Sequence, residues 1–412
     1  MTVTQLLGWI LGAIAAQVAL GAAWAWQRTR AAAASSLAPT AAAVPTTNSR
    51  AAWPGLRAFR VQARRYEDAA QTQCSFELVP VDGQALPPFL PGQFLTFVLQ
   101  LPGPAGAAGE RTVTRCYSLS DQPRANHYRV TIKRVPSPSD RPTLPPGLSS
   151  NHFHEHVQVG DTLQLRAPAG HFFIHPDPTV PVVLIAGGIG ITPMMSMLQW
   201  CVAHQPARAV HLFYGVRQGA ELAFKAELQA IAAQHRQVRL HLVFSRPAPD
   251  EVAGTDDQHT GHVDLALLQR CLPHGRHAFY LCGPPALMES LVPALAAWGV
   301  PESDLHFEAF GPASVRLPSA APATGPAAEV EIRFQRSGRT LAWDGQDQNL
   351  LDFAERQGVA VESGCRSGGC GSCETQLLSG TVAYAQTPDH DVQPGHCLLC
   401  VGRPTSALVL EA

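Results

Sequence analysis

Cys365, Cys370 and Cys373 stand in the run ESGCRSGGCGSCETQLLSG with C-x4-C-x2-C spacing, and Cys397 and Cys400 follow downstream. No other feature restricts the fold of the chain so tightly. This is the spacing of plant-type [2Fe–2S] sites, in which two irons take three thiolates from one tight loop and a fourth from a distant anchor. Gly364, Gly368, Gly369 and Gly371 carry no side chains, so backbone N–H groups can approach the cluster sulfurs and help set the potential. Zinc sites instead favour C-x2-C pairs, usually two of them. Spacing leaves both Cys397 and Cys400 open as the fourth ligand. Ten cysteines in 412 residues are too few for a disulfide scaffold.

At about 150 residues per domain the length predicts two or three domains. Lys and Arg number 30 against 32 Asp and Glu, which excludes a strongly basic nucleic-acid binder and an acidic disordered chain. Residues 6–26 (LLGWILGAIAAQVALGAAWAW) carry no charge and would span about 31 Å as a helix, close to the hydrocarbon thickness of a bilayer. Trp9, Trp24 and Trp26 stand near its ends, and Arg28 and Arg30 follow at once. A cleaved signal peptide would carry its positive charge before a shorter apolar run. We therefore expect a transmembrane anchor over 1–27, with the remainder in the cytoplasm by the positive-inside rule. A linker is expected over 28–52. Arg50, Arg57, Arg60, Arg64 and Arg65 read as a solvated strand face, with attraction to anionic lipid as the rival reading.

Between 53 and 178, short alternating runs such as CSFELVPV, GQFLTFVLQL, YRVTIKRV and DTLQLRAP are broken by Pro and Gly. They predict an antiparallel barrel or sandwich. Over 179–313 the pattern becomes βαβαβ: PVVLIAGG is a continuous apolar run, as a buried parallel strand requires, and the helix pattern PMMSMLQWCVAH follows it. Further segments are a strand AVHLFYGV, a helix ELAFKAELQAIAAQ, strands VRLHLVFS and HAFYLCG, and a helix PALMESLVPALAAW. This order predicts a doubly wound nucleotide-binding sheet. In LIAGGIGITP, Gly187, Gly188 and Gly190 allow a tight turn and close approach of a pyrophosphate to a helix N-terminus. A second linker, at 314–328, precedes a tail over 329–412 that opens with the hairpin pattern VEIRFQRSGRTLAW and a short helix NLLDFAERQ.

The order GQF (92–94), RCYSLS (115–120), IKR (132–134), GLSSNHFH (147–154), AGGIGITP (186–193), YGVR (214–217), CGPP (282–285) and FEAFG (307–311) resembles the ferredoxin-NADP reductase superfamily. It resembles most the flavin reductase portion of flavohaemoglobins and of oxygenase reductases, over about 55–412, and the tail resembles their plant-type ferredoxin domain. The resemblance implies a multidomain fold: an antiparallel β-barrel flavin domain, an α/β doubly wound NAD(P) domain and an α+β, β-grasp ferredoxin domain. It implies that Tyr117 packs on the isoalloxazine of FAD, that the Ser118 hydroxyl sits near N5, and that Arg115 meets the phosphates. Lys133 and Arg134 would lie beside the ribityl and phosphates, and the Gly147, Ser149, Ser150 and Asn151 turn would cradle the diphosphate. Thr192 and Pro193 would lie beneath the nicotinamide nucleotide, with Cys282 and Gly283 beside the carbon that gives up hydride. Glu308 and Phe310 match the acidic-aromatic ending whose ring guards the flavin. In GHCLLCVGRP, Gly395, Leu398 and Cys400 fit the family's final stretch, so the resemblance selects Cys400 over Cys397.

Nicotinamide gives two electrons as hydride and an iron–sulfur cluster accepts one at a time, so a flavin is the natural converter. The expected path runs from NADH or NADPH through FAD, with FMN as the alternative, to the cluster and an outside acceptor. Ser245-Arg246 suits a 2′-phosphate, but no second basic-aromatic partner follows it, which leaves the nucleotide open. Expected acceptors are a membrane-bound oxygenase, desaturase or cytochrome, or a soluble hybrid-cluster or nitric-oxide partner. A non-enzymatic redox sensor or carrier is the rival from another class. The 314–328 linker is expected to let the tail swing between flavin and partner.

Overall fold

The computed structural model of the chain describes residues 52–102, 109–137, 142–143, 145–175, 177–249, 258–310, 330–366, 368–384, 388 and 390–412. The anchor segment 6–26 and the 314–328 linker lie outside these residues. Among the described residues no helix is long and apolar enough to cross a membrane.

The first domain is an antiparallel barrel. Its strands are β1 (Arg57–Tyr66), β2 (Gln73–Pro80), β3 (Phe94–Pro102), β4 (Glu110–Ser118), β5 (Tyr128–Lys133) and β6 (Thr162–Ala169). They pair in the order β4-β3-β6-β1-β2-β5. A bridge between Leu119 and Val130 joins the two ends, so the sheet closes and leaves no long free edge. Alternation directs Phe59, Phe76, Phe97 and Val130 into the barrel core with Phe153, which comes from helix α1 (Leu148–Glu155). Of the β1 arginines, Arg60 is exposed to solvent and the other three have partners. Arg57 pairs with Asp82 at 2.8 Å, Arg65 pairs with Glu67 at 2.9 Å, and Arg64 donates to the carbonyl of His154 at 2.5 Å.

The second domain is a parallel sheet of β7 (Val182–Gly187), β8 (Val210–Val216), β9 (Val238–Phe244), β10 (Gln258–Thr260), β11 (Ala278–Gly283) and β12 (Leu305–Ala309). Its order is β10-β9-β8-β7-β11-β12, so the strand order switches at β7, with β8 to β10 laid down on one side and β11 and β12 on the other. All six residues of β7 are buried, because α2 (Ile191–His204) and α3 (Lys225–Gln234) cover one face and α4 (Leu265–Cys271) and α5 (Pro285–Ala297) the other. The expected helix over ELAFKAELQAIAAQ starts late. Gly219–Glu221 forms a 3-10 turn and Phe224 takes φ +58° before α3 begins. Burial of Leu222, Ala223 and Phe224 in the core, with Arg129 5.0 Å above the Phe224 ring, outweighs helix propensity there.

The tail is a β-grasp. Strands β13 (Val330–Phe334) and β14 (Arg339–Trp343) form the hairpin, and α6 (Leu350–Arg356) packs behind it. The remaining strands are β15 (Glu374–Ser379), β16 (Val382–Tyr384), β17 (His396–Leu398), β18 (Gly402–Pro404) and β19 (Leu408–Leu410). The main sheet runs β14-β13-β19-β15-β17, with β13 and β19 parallel.

Candidate functional site

A cavity of about 430 Å³ lies where the three domains meet. The barrel contributes Arg115, Tyr117, Ser118 and Lys133, and the segment entering α1 contributes Gly147, Ser149 and Ser150. Ile189, Thr192, Glu308 and Phe310 come from the parallel-sheet domain, and Gly364 and Cys365 from the tail.

Each wall has a local cause. The small residues after Gly147 begin a helix rather than an open turn. A Cβ on Gly147 would sit 2.7 Å from Ser150 Oγ and 2.8 Å from Val135 Cβ, so only glycine fits the entry. Asn151 Nδ2 donates to the carbonyls of Gly147 (2.6 Å) and Val135 (2.7 Å), fixing that entry to the strand beside it. Arg134 is spent on the same brace, donating to Asn151 Oδ1 at 3.2 Å and pairing with Glu155. His154 is buried and its Nε2 lies 2.9 Å from the Ile132 carbonyl, so it supports α1. Tyr117 Oη and Ser149 Oγ share a 2.9 Å hydrogen bond, and the Tyr117 ring meets Phe97 and Phe153 edge-on. Burial pushes the Tyr117 phenol up to about 12, against the Ser149 hydrogen bond, so it stays protonated.

On the opposite wall, β7 ends in Gly187 and a 3-10 turn, Gly188–Gly190, leads into α2. A Cβ on Gly190 would lie 2.1 Å from the Cys282 carbonyl oxygen. One on Gly187 would lie 2.6 Å from Pro284 Cδ, and one on Gly283 2.7 Å from Leu287 Cδ2. Gly188 has φ +54°, and Lys133 Nζ lies 4.0 Å from where its Cβ would stand. Lys133 Nζ also lies 3.7 Å from Glu221. The α2 N-terminus has no side-chain cap, but its Ile191 N–H bonds back to the Gly188 and Ile189 carbonyls and Pro193 carries none. Thr192 and Pro193 occupy its buried first turn, and the Thr192 hydroxyl donates to the Ile189 carbonyl at 3.1 Å. Cys282 stands apart from the cavity wall: its side chain is wholly buried in the core beside α2, and burial holds its thiol well above the usual range.

Glu308 is paired in register with Cys282 across β11 and β12. Burial pushes its carboxyl up to about 8, the neighbouring Cys365 adds to this, and a Ser118 hydrogen bond opposes it. Its Oε2 is buried and has no hydrogen-bond partner among the described residues.

In the tail, four thiols converge. The N–H of Cys365 donates to Cys370 Sγ at 3.1 Å, that of Gly369 to Cys365 Sγ at 3.3 Å, and that of Cys400 to Cys373 Sγ at 3.4 Å. The neighbouring Cys365 and Cys373 thiols raise the Cys400 thiol well above its usual range. Cys397 instead lies opposite Thr375 in the β15–β17 ladder, in the tail core, where burial pushes it up to about 12. A Cβ on Gly364 would stand 2.7 Å from Cys370 Sγ, and Gly368 and Gly371 have φ +78° and +73°. This donor set, with N–H groups aimed at sulfur, fits a [2Fe–2S] cluster held by Cys365, Cys370, Cys373 and Cys400. The cavity, its glycine cradle and the orphan Glu308 oxygen likewise fit a flavin.

Several contributors were not anticipated from sequence. Arg366 takes φ +57° inside the cysteine loop and pairs with Asp352 at 3.4 Å and with Glu355, which ties the loop to α6. Phe94 lines the cavity, and Gly369 fits against it so closely that a Cβ would lie 3.0 Å from the ring. Cys116 also lines the cavity, and the neighbouring Cys365 and Cys370 thiols add to burial in holding its own thiol well above the usual range. The only sequence signal for it was its place inside RCYS, and its tail partners lie some 250 positions away.

Comparison with known proteins agrees with this geometry. Residues 76–174 match the oxidoreductase FAD-binding domain, 184–292 the oxidoreductase NAD-binding domain, and 332–405 the 2Fe-2S iron-sulfur cluster binding domain. A flavohemoprotein of Halalkalibacterium halodurans is 38% identical over 262 residues, 63% of this chain, and the match spans 61% of that relative's length. The FAD/NAD binding domain of a nitric oxide dioxygenase from Vibrio cholerae is 34% identical with a TM-score of 0.54, covering 62% of this chain and 99% of that one. A cytochrome P450 reductase from Amycolatopsis is 27% identical with a TM-score of 0.51, covering 63% of this chain and 71% of that one.

Proposed function

The chain belongs to the ferredoxin-NADP reductase superfamily, and on that premise we propose that it carries electrons from NADH or NADPH to a separate redox protein. It is an NAD(P)H-dependent flavoprotein oxidoreductase with a [2Fe–2S] domain. The carrying observation is that Cys365 lines the same cavity as Tyr117, Ser118 and Thr192, so the candidate cluster, flavin and nicotinamide sites open onto one space.

Tyr117, Ser118 and the 147–150 entry would hold a flavin, which would supply the conversion of a hydride's electron pair into single electrons, and Cys365, Cys370, Cys373 and Cys400 would hold the cluster. The residues of the chain orient and insulate this exchange. Tyr117, fixed by Ser149 and two aromatic edges, presents a neutral face to the flavin. Glu308 holds its proton at neutral pH and so adds no negative charge where hydride must arrive. Phe310 lines the cavity, and in this reading its ring would cover the flavin until the nucleotide displaces it. The uncapped α2 N-terminus and the glycine turn receive the pyrophosphate. The N–H groups of Cys365, Gly369 and Cys400 stabilise the thiolates.

The acceptor we favour is an oxygenase, desaturase or cytochrome, and the likeness to a P450 reductase supports it. A nitric-oxide system is the second reading, supported by the flavohemoprotein and dioxygenase likenesses. Residues 6–26 are proposed to anchor the chain in the cytoplasmic membrane, with the cofactor domains on the cytoplasmic side. Their length, lack of charge and following arginines support this. Protease accessibility in sealed vesicles tests it.

The decisive experiment is an anaerobic absorbance titration of protein lacking residues 1–49, with NADH and NADPH in separate runs. Bleaching of both flavin and cluster bands by one nucleotide is expected, and it settles nucleotide choice. No bleaching by either nucleotide sinks the reductase reading and favours a sensor or carrier.

A further inference from the structure

The parallel-sheet domain holds a second cluster of metal-ligating side chains, on the sheet face covered by α4 and α5 and separate from the shared cavity. His241 on β9, His259 on edge strand β10 and Cys271 at the end of α4 each offer one ligand atom, and these atoms all lie within 4.8 Å of one another. We propose that this triad is a binding site for a borderline-soft divalent cation, Zn²⁺ above all, which clips β10 and α4 onto β9.

Several observations carry the assignment. Two imidazoles and a thiol are a donor set that Zn²⁺ accepts. Around a tetrahedral ion with bonds of roughly 2.0–2.3 Å, ligand atoms stand about 3.5 Å apart. The triad therefore has to close by roughly 1 Å, which side-chain rotation supplies. Independently, His241 is 6% exposed, and its Nδ1 is buried with no hydrogen-bond partner among the described residues. A buried polar atom left so is destabilising, and a metal bond satisfies it. The other ring nitrogen, Nε2, lies 3.4 Å from His211 Nδ1, and the ring stacks on Phe213 at 4.3 Å. The neighbours thus orient the imidazole from one side and leave Nδ1 for the ion. Arg239, on the same strand face, is exposed, so solvent screens its charge. The fourth position falls to water.

The mechanical role follows from the elements joined. β10 has three residues and lies at the sheet edge, and α4 has seven. Neither is long enough to be secured by its own ladder or helix bonds. A shared ion would lock both.

The test uses the full-length protein with flavin and cluster loaded. It is incubated with zinc chloride alone, desalted, and analysed for zinc, iron and flavin by elemental and optical assay. About one zinc per chain is expected beside an unchanged iron content. In His259→Ala and Cys271→Ser, zinc should fall at least about tenfold while iron and flavin stay at the wild-type level. X-ray absorption at the zinc edge of the wild-type protein should show nitrogen ligands and a single sulfur. That measurement does not depend on the variants folding. Absence of stoichiometric zinc, zinc retained in both variants, or a shell of several sulfurs, which would place the ion in the cysteine loop, overturns the proposal.

Discussion

At the scale of single residues, the site is built from positions where one atom decides. Gly190 is pressed against the Cys282 carbonyl, 2.1 Å from where a Cβ would stand, while Gly188 has open space but φ +54°. Gly190→Ala should therefore cost about 1–3 kcal/mol and weaken nucleotide binding, because backbone must move. Gly188→Ala should cost about 1 kcal/mol, from left-handed strain alone. Thermal melts and KM for the nucleotide, measured on both variants, check the order. Glu308 yields a pH prediction. Its carboxyl is raised to about 8 by burial, then by Cys365. A carboxyl raised on folding binds more protons folded than unfolded, so stability falls as pH climbs from about 4.5 to about 8. The rate of hydride transfer should fall over the upper part of that range, as ionised Glu308 repels the arriving negative charge. Glu308→Gln keeps the neutral shape. Its flavin reduction, followed by stopped flow from pH 6 to 9, is expected to stay flat where the wild type declines, and a matching decline in the variant would remove Glu308 from the account.

At the scale of elements, the cysteine loop and the strand that leads to it divide the work between Cys400 and Cys397. Cys400→Ser should lose the cluster, seen as loss of iron and of the cluster absorbance. Cys397→Ser should keep both and lose about 1–2 kcal/mol of stability, because it buries a hydroxyl in an apolar core. Much at this scale was legible in sequence. PVVLIAGG reads as a buried parallel strand because both its faces are covered. Likewise, VEIRFQRSGRTLAW reads as a hairpin because its alternation breaks at a Ser-Gly turn. What escaped depended on contacts distant along the chain. Phe224 leaves helical geometry because the core requires its ring, and no local pattern records that. The GLSSN segment reads as a turn from its small residues, but Asn151 bonds its side chain to Gly147 and Val135 and α1 begins there. Cys282 reads as a cavity residue by resemblance, and the structure directs its thiol into the core.

At the scale of the whole molecule, three bodies contribute to one cavity, and the tail's place against it is where transfer and release compete. The cluster loop rests against Phe94 and Ala169 of the barrel, on the donor side. In the proposed path, delivery to an outside protein would require the tail to turn away, the swing expected from the sequence of residues 314–328. Removing five residues from that segment should slow reduction of a partner protein or a surrogate such as cytochrome c several-fold, while reduction of flavin by nucleotide changes little. Rapid-mixing measurements of the two steps separate them, and equal slowing of both would count against a moving tail. The contact at Gly369 has a further consequence, for inheritance. A Cβ there would lie 3.0 Å from the Phe94 ring and 3.2 Å from Ala169 Cβ. A ferredoxin domain grafted from another lineage could match every cysteine and still hold its cluster away from this barrel, for want of one bare α-carbon. A side chain at position 369 would press on the barrel whatever the cysteines do, so the fit of this tail is set at the seam as well as at the metal.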